Sequence, residues 1–374
     1  MPDTDSTLRG PISKKLKEFT VVDMDVHIHE TPAALAPYCE MPWRKSLEHL
    51  STVPQRYLDI PGFSPNLSVY PSFPDSGGDR RSTVSSASQM RQDLDSLGID
   101  IGVLFPDALL SHASIKNTDY AVALARAYNR WMADKWLSVP NFYGAICTAA
   151  KDPEGSAAEI RKYANHDKMV CAYLPACAVN PLFGDKRYWT IYETAQEVNI
   201  PVSIHGLVSV WPVFPMQLQE FNEVGRHGFG NSLQMCANFM SIMSNGIPAR
   251  FPDLKISFNE GGLAWVPWLI MRLNNEYFEW RGRLLPFLKE RPSHYLSNFL
   301  FSTQPAEEPD DPSDYIKVIE LAGGPDRIIY ASDWPHHDFD HPSRILDYPM
   351  PDDAKRKVMG QNAAEFYGIA LPGG

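Results

Sequence analysis

Val21-Val22-Asp23-Met24-Asp25-Val26-His27-Ile28-His29 reads as a buried β-strand that ends in two histidines. Seven further short apolar runs follow it, over residues 101–105, 142–147, 169–174, 201–204, 254–258, 299–302 and 327–332. Most are continuously apolar rather than alternating, which marks parallel strands covered on both faces. Amphipathic helical stretches separate them, among them residues 87–97, 119–136, 153–164, 189–198, 232–243 and 312–321, with a last helix expected over 352–366. Asp152-Pro153 is a helix start and Gly323-Gly324-Pro325 a helix stop. Eight β/α alternations without a linker predict an α/β fold of one domain, a (β/α)8 TIM barrel over residues 21–374 behind a polar segment of residues 1–20. A doubly wound open sheet is the alternative, but no Gly-x-Gly-x-x-Gly turn follows the first strand.

Two stretches are too long and turn-rich for simple connections. One, after strand one, covers about residues 30–84 and carries six prolines from Pro42 to Pro74; the other, after strand five, covers about residues 207–231 and includes Trp211-Pro212 and Gly228-Phe229-Gly230. Both leave C-terminal strand ends, where a barrel of this kind builds its active site, so each reads as a lid, a substrate wall or a plain surface excursion.

The 374 residues carry 34 Lys and Arg against 45 Asp and Glu, a net charge of −11 that repels phosphate backbones and argues against a nucleic-acid partner. No apolar run approaches the ~18 residues of a membrane span. The start has no apolar leader, and five scattered cysteines without a CxxC pair suit a reducing compartment. A cytoplasmic protein is expected.

Chemistry-bearing residues fall at three strand ends. On a strand, a spacing of two puts His27 and His29 on one face, able to share a cation. His205 ends strand five in Pro201-Val202-Ser203-Ile204-His205, and Asp333 ends strand eight in Tyr330-Ala331-Ser332-Asp333-Trp334-Pro335-His336-His337. In a barrel these ends surround one cavity. Three imidazoles and a carboxylate, His27, His29, His205 and Asp333, suit one divalent metal ion, zinc first and Mn, Fe or Co as alternatives. Glu260, in Phe258-Asn259-Glu260-Gly261-Gly262 at the end of strand six, is a candidate general base, with a role orienting a ligand imidazole as the blander reading. Trp211, Trp334 and His336 are the candidates to line the cavity and meet a flat substrate ring.

These motifs resemble the amidohydrolase superfamily, in particular the branch with aminocarboxymuconate-semialdehyde decarboxylase. The resemblance spans residues 21–367 and includes Phe251-Pro252-Asp253-Leu254-Lys255, Ser332-Asp333-Trp334-Pro335-His336 and Asn362-Ala363-Ala364-Glu365-Phe366-Tyr367. It implies a (β/α)8 barrel whose metal is held at the positions of His27, His29, His205 and Asp333. Decarboxylases of the branch carry a histidine after strand six, where this chain has Glu260. The carboxylated lysine that bridges two metals in other branches has no candidate here, so one metal is expected.

Three functions follow as expectations. The first is a metal-dependent hydrolase: metal-activated water attacks an amide, lactone, lactam or activated C–C bond of a small cyclic or aromatic carboxylic acid, with Glu260 or Asp333 moving the proton. The second is non-oxidative decarboxylation of such an acid, in which a protonated Glu260, or His336 or His337, protonates the ring carbon that loses CO2. The third is a barrel that binds metal without turnover. The family likeness also implies a homo-oligomer, with a dimer the simplest case.

Overall fold

A computed structural model describes residues 15–52, 84, 86–207, 223–280, 287–336 and 338–372. Eight strands lie side by side in chain order: β1 Val22–Ile28, β2 Ile101–Pro106, β3 Phe142–Cys147, β4 Met169–Pro175, β5 Val202–His205, β6 Ile256–Asn259, β7 Phe299–Ser302 and β8 Ile328–Ile329. Every neighbouring pair is parallel, as the continuous apolar runs require. The expected strand ends are met within two residues, except that β8 is only two residues long.

The chain beyond β8 closes the barrel onto β1. Met24 N donates to Tyr330 O at 3.1 Å, Asp333 N to Asp25 O at 3.0 Å and His27 N to Trp334 O at 2.7 Å. Asp23 fastens this seam: its buried carboxylate accepts from Asp25 N, Ser332 N and Ser332 Oγ. Burial pushes the Asp23 carboxyl up to about 7, against the pull of those donors. One side chain of β1 thereby holds the chain beyond β8 against the first strand.

The outer layer contains α1 Ala87–Leu97, α2 Thr118–Lys135, α3 Pro153–Tyr163, α4 Trp189–Glu197, α5 Glu223–Ser244, α6 Trp265–Trp280 and α7 Pro312–Leu321. Local chemistry sets several ends. Ser86 Oγ accepts from Gln89 N and Asp152 from Gly155 N, while Gly98 at φ 76° closes α1. α5 begins nine residues before the expected 232, running through the Gly228-Phe229-Gly230 bend. Each helical glycine costs ~1 kcal/mol, but tertiary bonds hold the helix: Ser232 Oγ donates to Gly261 O and Gln234 Nε2 to Leu207 O, both at 2.8 Å.

The last helix is interrupted. Asp352–Arg356 leads into a π-turn, Lys357–Gln361, and then Asn362–Tyr367. Val358 O accepts from Tyr330 N at 2.9 Å, and Asn362 Nδ2 reaches Pro325 O and Ile328 O, each at 2.7 Å, tying this helix to β8. At the other end of the chain, Leu16 and Phe19 are buried in the core, so the end of the expected polar segment packs onto the barrel. The excursion after β1 opens with two short helices, Pro32–Leu35 and Trp43–Thr52. Most of it, with Trp211, His337 and much of the excursion after β5, lies outside the described residues. None of the five cysteines, all among the described residues, is in a disulfide, and no helix among the described residues is long and apolar enough to cross a membrane.

Candidate active site

Side chains from β1, β5 and the end of strand eight converge inside the barrel. Asp25, His27, His205 and Asp333 are each at most 1% exposed. Asp25 Oδ1 lies 2.7 Å from His205 Nε2 and 3.2 Å from His27 Nε2, and Asp333 Oδ1 lies 3.0 Å from His27 Nε2. His336 joins from the loop beyond, its Nδ1 2.7 Å from Asp333 Oδ1 and its ring stacked on His27 at 4.3 Å.

Backbone carbonyls decide how the imidazoles stand. His27 Nδ1 pairs with Pro106 O and His205 Nδ1 with Gly206 O, both at 2.8 Å. A proton on each Nδ1 leaves the Nε2 lone pair facing the centre, the orientation a ligand imidazole needs. Asp25 Oδ2, His27 Nε2, Asp333 Oδ1 and His336 Nε2 are buried without a well-formed hydrogen bond. Buried polar atoms that converge without partners are costly, and a cation at their centre removes that cost. Two overlapping sets have ligand atoms close enough to hold a metal ion: Asp25, His27 and His205, and His27, Asp333 and His336.

Electrostatics agrees. Burial alone would raise the Asp25 carboxyl, but His205 and His27 outweigh it and hold the group well below the usual range. Burial disfavours charge on the histidines too. Asp25 nevertheless raises His27 well above its ordinary value and His205 to about 9, and Asp333 raises His336 to about 10. The cavity is a strong field for positive charge.

His29 is not in either set. β1 ends at Ile28, and beyond it His29 Nδ1 meets Asp107 Oδ2 at 2.8 Å. There it lines a cavity of about 760 Å³ with Thr31, Tyr38, Trp131 and Trp136. The residue two places from His27 that shares its inward face is Asp25.

Glu260 lies beside His205 and is in neither of the two ligand sets. Its Oε1 accepts from Asn231 Nδ2 at 2.8 Å, and its Oε2 stands 3.2 Å from Nδ1 of His205, the ring nitrogen directed away from the centre. Glu260 thus faces Asn231 on one side and the outer nitrogen of His205 on the other. Burial raises its pKa, His205 opposes that and Asp333 adds to it. Trp334 is 3% exposed, packed edge-on against Phe339, and its backbone pairs with β1. Both Glu260 and Asp333 sit at positive φ, 59° and 64°. Left-handed backbone is strained for such residues, and here it aims two carboxylates that follow strand ends.

Two contributors escaped the sequence reading. Gln304, just beyond β7, donates from Nε2 to Asp333 Oδ2 at 3.2 Å. Asp107 follows β2 and lies between His29 and His336, with Oδ1 3.4 Å from His336 Nε2. Asp107 is itself set by Glu30, whose carboxylate accepts from Asp107 N at 3.0 Å and Leu109 N at 2.6 Å. The signal for Asp107 was available: a carboxylate directly after an apolar run, as with Asp333.

The family model described as amidohydrolase matches residues 24–369. A gamma-resorcylate decarboxylase from Polaromonas sp. strain JS666 is 24% identical over 288 residues, 73% of this chain and 84% of the relative. The solved structure of 5-carboxyvanillate decarboxylase from Novosphingobium aromaticivorans, complexed with manganese and 4-hydroxy-3-methoxy-5-nitrobenzoic acid, superposes with a TM-score of 0.72. It is 20% identical and covers 94% of this chain and 97% of its own. Dihydroxybenzoic acid decarboxylase from Polaromonas sp. JS666, with manganese and 2-nitroresorcinol bound, gives 0.65 at 19% identity, with 94% and 97% covered. These neighbours share the barrel fold. The comparisons overturn the expectation of a hydrolase, because the relatives are carboxy-lyases.

Proposed function

Because the chain belongs to the amidohydrolase family, we propose that its barrel carries out metal-dependent, non-oxidative decarboxylation of a small hydroxylated aromatic acid. The observation that carries this reading is the buried convergence of Asp25, His27, His205 and Asp333, with His336 Nδ1 2.7 Å from Asp333 Oδ1. The relatives' named substrates, gamma-resorcylate and 5-carboxyvanillate, support the substrate class.

Asp25, His27, His205 and Asp333 would hold the metal. Two carboxylates and two imidazoles form a harder set than the three imidazoles and one carboxylate expected from the sequence, which favours manganese over zinc. When bound, the metal supplies positive charge that holds the acid's carboxylate or adjacent hydroxyl and keeps the ring in place. His336, whose Nδ1 lies 2.7 Å from Asp333 Oδ1, would carry the proton at the cavity edge. Protonation of the carbon that bears the carboxylate breaks the ring's conjugation. Loss of CO2 then leaves the C–C electron pair in the ring and restores aromaticity, so one proton is consumed and no oxidant is needed. Gln304 keeps Asp333 turned towards this exchange, and Glu260 keeps His205 in its ring orientation.

The test is to strip the chain of metal, reload it with Mn²⁺ or Zn²⁺, and incubate each form with gamma-resorcylate and with 5-carboxyvanillate. Expected is metal-dependent loss of CO2, read by product mass and released ¹³CO2. A manganese-loaded chain inert towards both acids and towards simpler hydroxybenzoic acids would overturn the proposal.

A further inference from the structure

A line of polar contacts runs outward from Asp333. Gln304 Nε2 donates to Asp333 Oδ2 at 3.2 Å and to Asp338 Oδ2 at 3.4 Å, and the same Asp338 oxygen lies 3.1 Å from His227 Nε2. Exposure rises along this line. Asp333 and Gln304 are 1 and 0% exposed, whereas the side chains of Asp338 and His227 are 22 and 28% exposed. Gln304 follows β7, Asp338 lies in the loop beyond β8 and His227 is near the start of α5, so the outer pair joins the connections that leave β5 and β8.

α5 turns two side chains of one face on the site. His227 meets Asp338, and one turn on Asn231 donates to Glu260 Oε1 at 2.8 Å. The bond to Asp338 raises the His227 imidazole above its ordinary pKa, against the effect of burial, and the charges of Glu260 and Asp333 add to the lift. His227 therefore feels the carboxylates of the centre as well as its own partner.

An organic acid has to pass the mouth of the barrel before it meets the cation that the centre would hold. Asp333 belongs to a ligand set and would be offset by that cation, but Asp338 is in neither set. A cleft focuses the field of the charges that line it, so a bare carboxylate at Asp338 would oppose every entering anion. At ~10 Å and an effective dielectric of ~20, one unit charge changes affinity by about tenfold.

We propose that His227 is the counter-ion that opens this mouth to acids: its imidazolium cancels the charge of Asp338 and so sets the affinity of the cavity for an anionic aromatic ring. The proposal rests on the reading of the site as one that takes an aromatic acid, and adds the pair that governs the acid's entry. His227 acts through Asp338 and is a positioning residue for charge, outside the reacting atoms.

The test is equilibrium binding of 2-hydroxybenzoate, and of its uncharged amide 2-hydroxybenzamide, to the full chain loaded with Mn²⁺ at low ionic strength. His227→Gln should weaken the acid about 10-fold and leave the amide within about twofold of wild type. Added salt should shrink the loss, because the pair is partly exposed. Asp338→Asn should not weaken the acid, and His227→Gln with Asp338→Asn should restore it. A strap that only holds α5 in place would give equal losses for acid and amide, a loss with Asp338→Asn and no rescue in the double variant; any of these overturns the proposal. So does a wild-type chain that binds 2-hydroxybenzoate no better than the His227→Gln chain. Binding of the acid that depends on His227, without release of CO2 from any acid, would reject the reaction and keep this inference. Decarboxylation with an affinity indifferent to His227 would reject this inference alone.

Discussion

Asp25 and His205, 180 residues apart in the chain, meet through Oδ1 and Nε2 at 2.7 Å, both fully buried. A carboxylate on β1 thus faces an imidazole at the end of β5 across the barrel interior. Backbone bonds at Nδ1 of both His27 and His205 keep their inner nitrogens turned towards that carboxylate. Asp25 is therefore the residue on which the geometry of the centre depends most directly.

Asp25→Asn should lower metal affinity by at least the ~10–100-fold seen when a partner of a metal ligand is lost. His29→Asn should leave metal content unchanged. Dialysis against a buffered metal followed by elemental analysis checks both. Loss of metal from the His29 variant with retention in the Asp25 variant would restore the arrangement expected from the sequence.

His336→Asn should reduce kcat by about 10²–10⁴, the range for a lost acid–base group, while the metal stays bound. Steady-state rates on a turned-over aromatic acid, with metal content measured on the same preparation, separate catalysis from metal loss. A metal-replete variant with an unchanged kcat would remove His336 from the proton transfer.

His112 links stability to pH. It is 1% exposed with Nε2 on Ala121 O, and burial lowers its pKa from 6.5 to about 4 despite that bond. Between these values the unfolded chain binds the proton and the folded chain does not, so stability is full above pH ~6.5 and falls as the pH drops towards 4. The loss amounts to about 3 kcal/mol. Denaturant unfolding of wild type and His112→Gln at pH 7, 5 and 4 should show the gap between them narrowing by that order. A constant gap would show that His112 does not titrate on unfolding.

Asn362→Ala should destabilise the fold by about 1–3 kcal/mol, because Pro325 O and Ile328 O both lose their donor at the start of β8. Thermal unfolding reads this directly. Replacement by Asp, which cannot donate to two carbonyls, should do no better than Ala.

The barrel was legible in the sequence because parallel strands covered on both faces must be apolar at nearly every position. That requirement leaves a run such as Phe142–Cys147 visible without any knowledge of its neighbours. Polar strand ends that converge inside the barrel were visible for a related reason: a charged or imidazole side chain directly after such a run, as at His205 and Asp333, needs a partner inside. The stretch Asp25-Val26-His27-Ile28-His29 offered three groups at period two, and a period alone does not say which of them face the cavity. The tertiary structure decided it. β1 stops at Ile28, Asp107 at the end of β2 takes His29, and the seam built by Asp23 and Ser332 turns Asp25 and His27 towards Asp333. The same holds for Glu260, whose role depends on which nitrogen of His205 it meets. Strand identity comes from local composition, whereas the direction of a carboxylate comes from neighbours tens to hundreds of residues away in the chain.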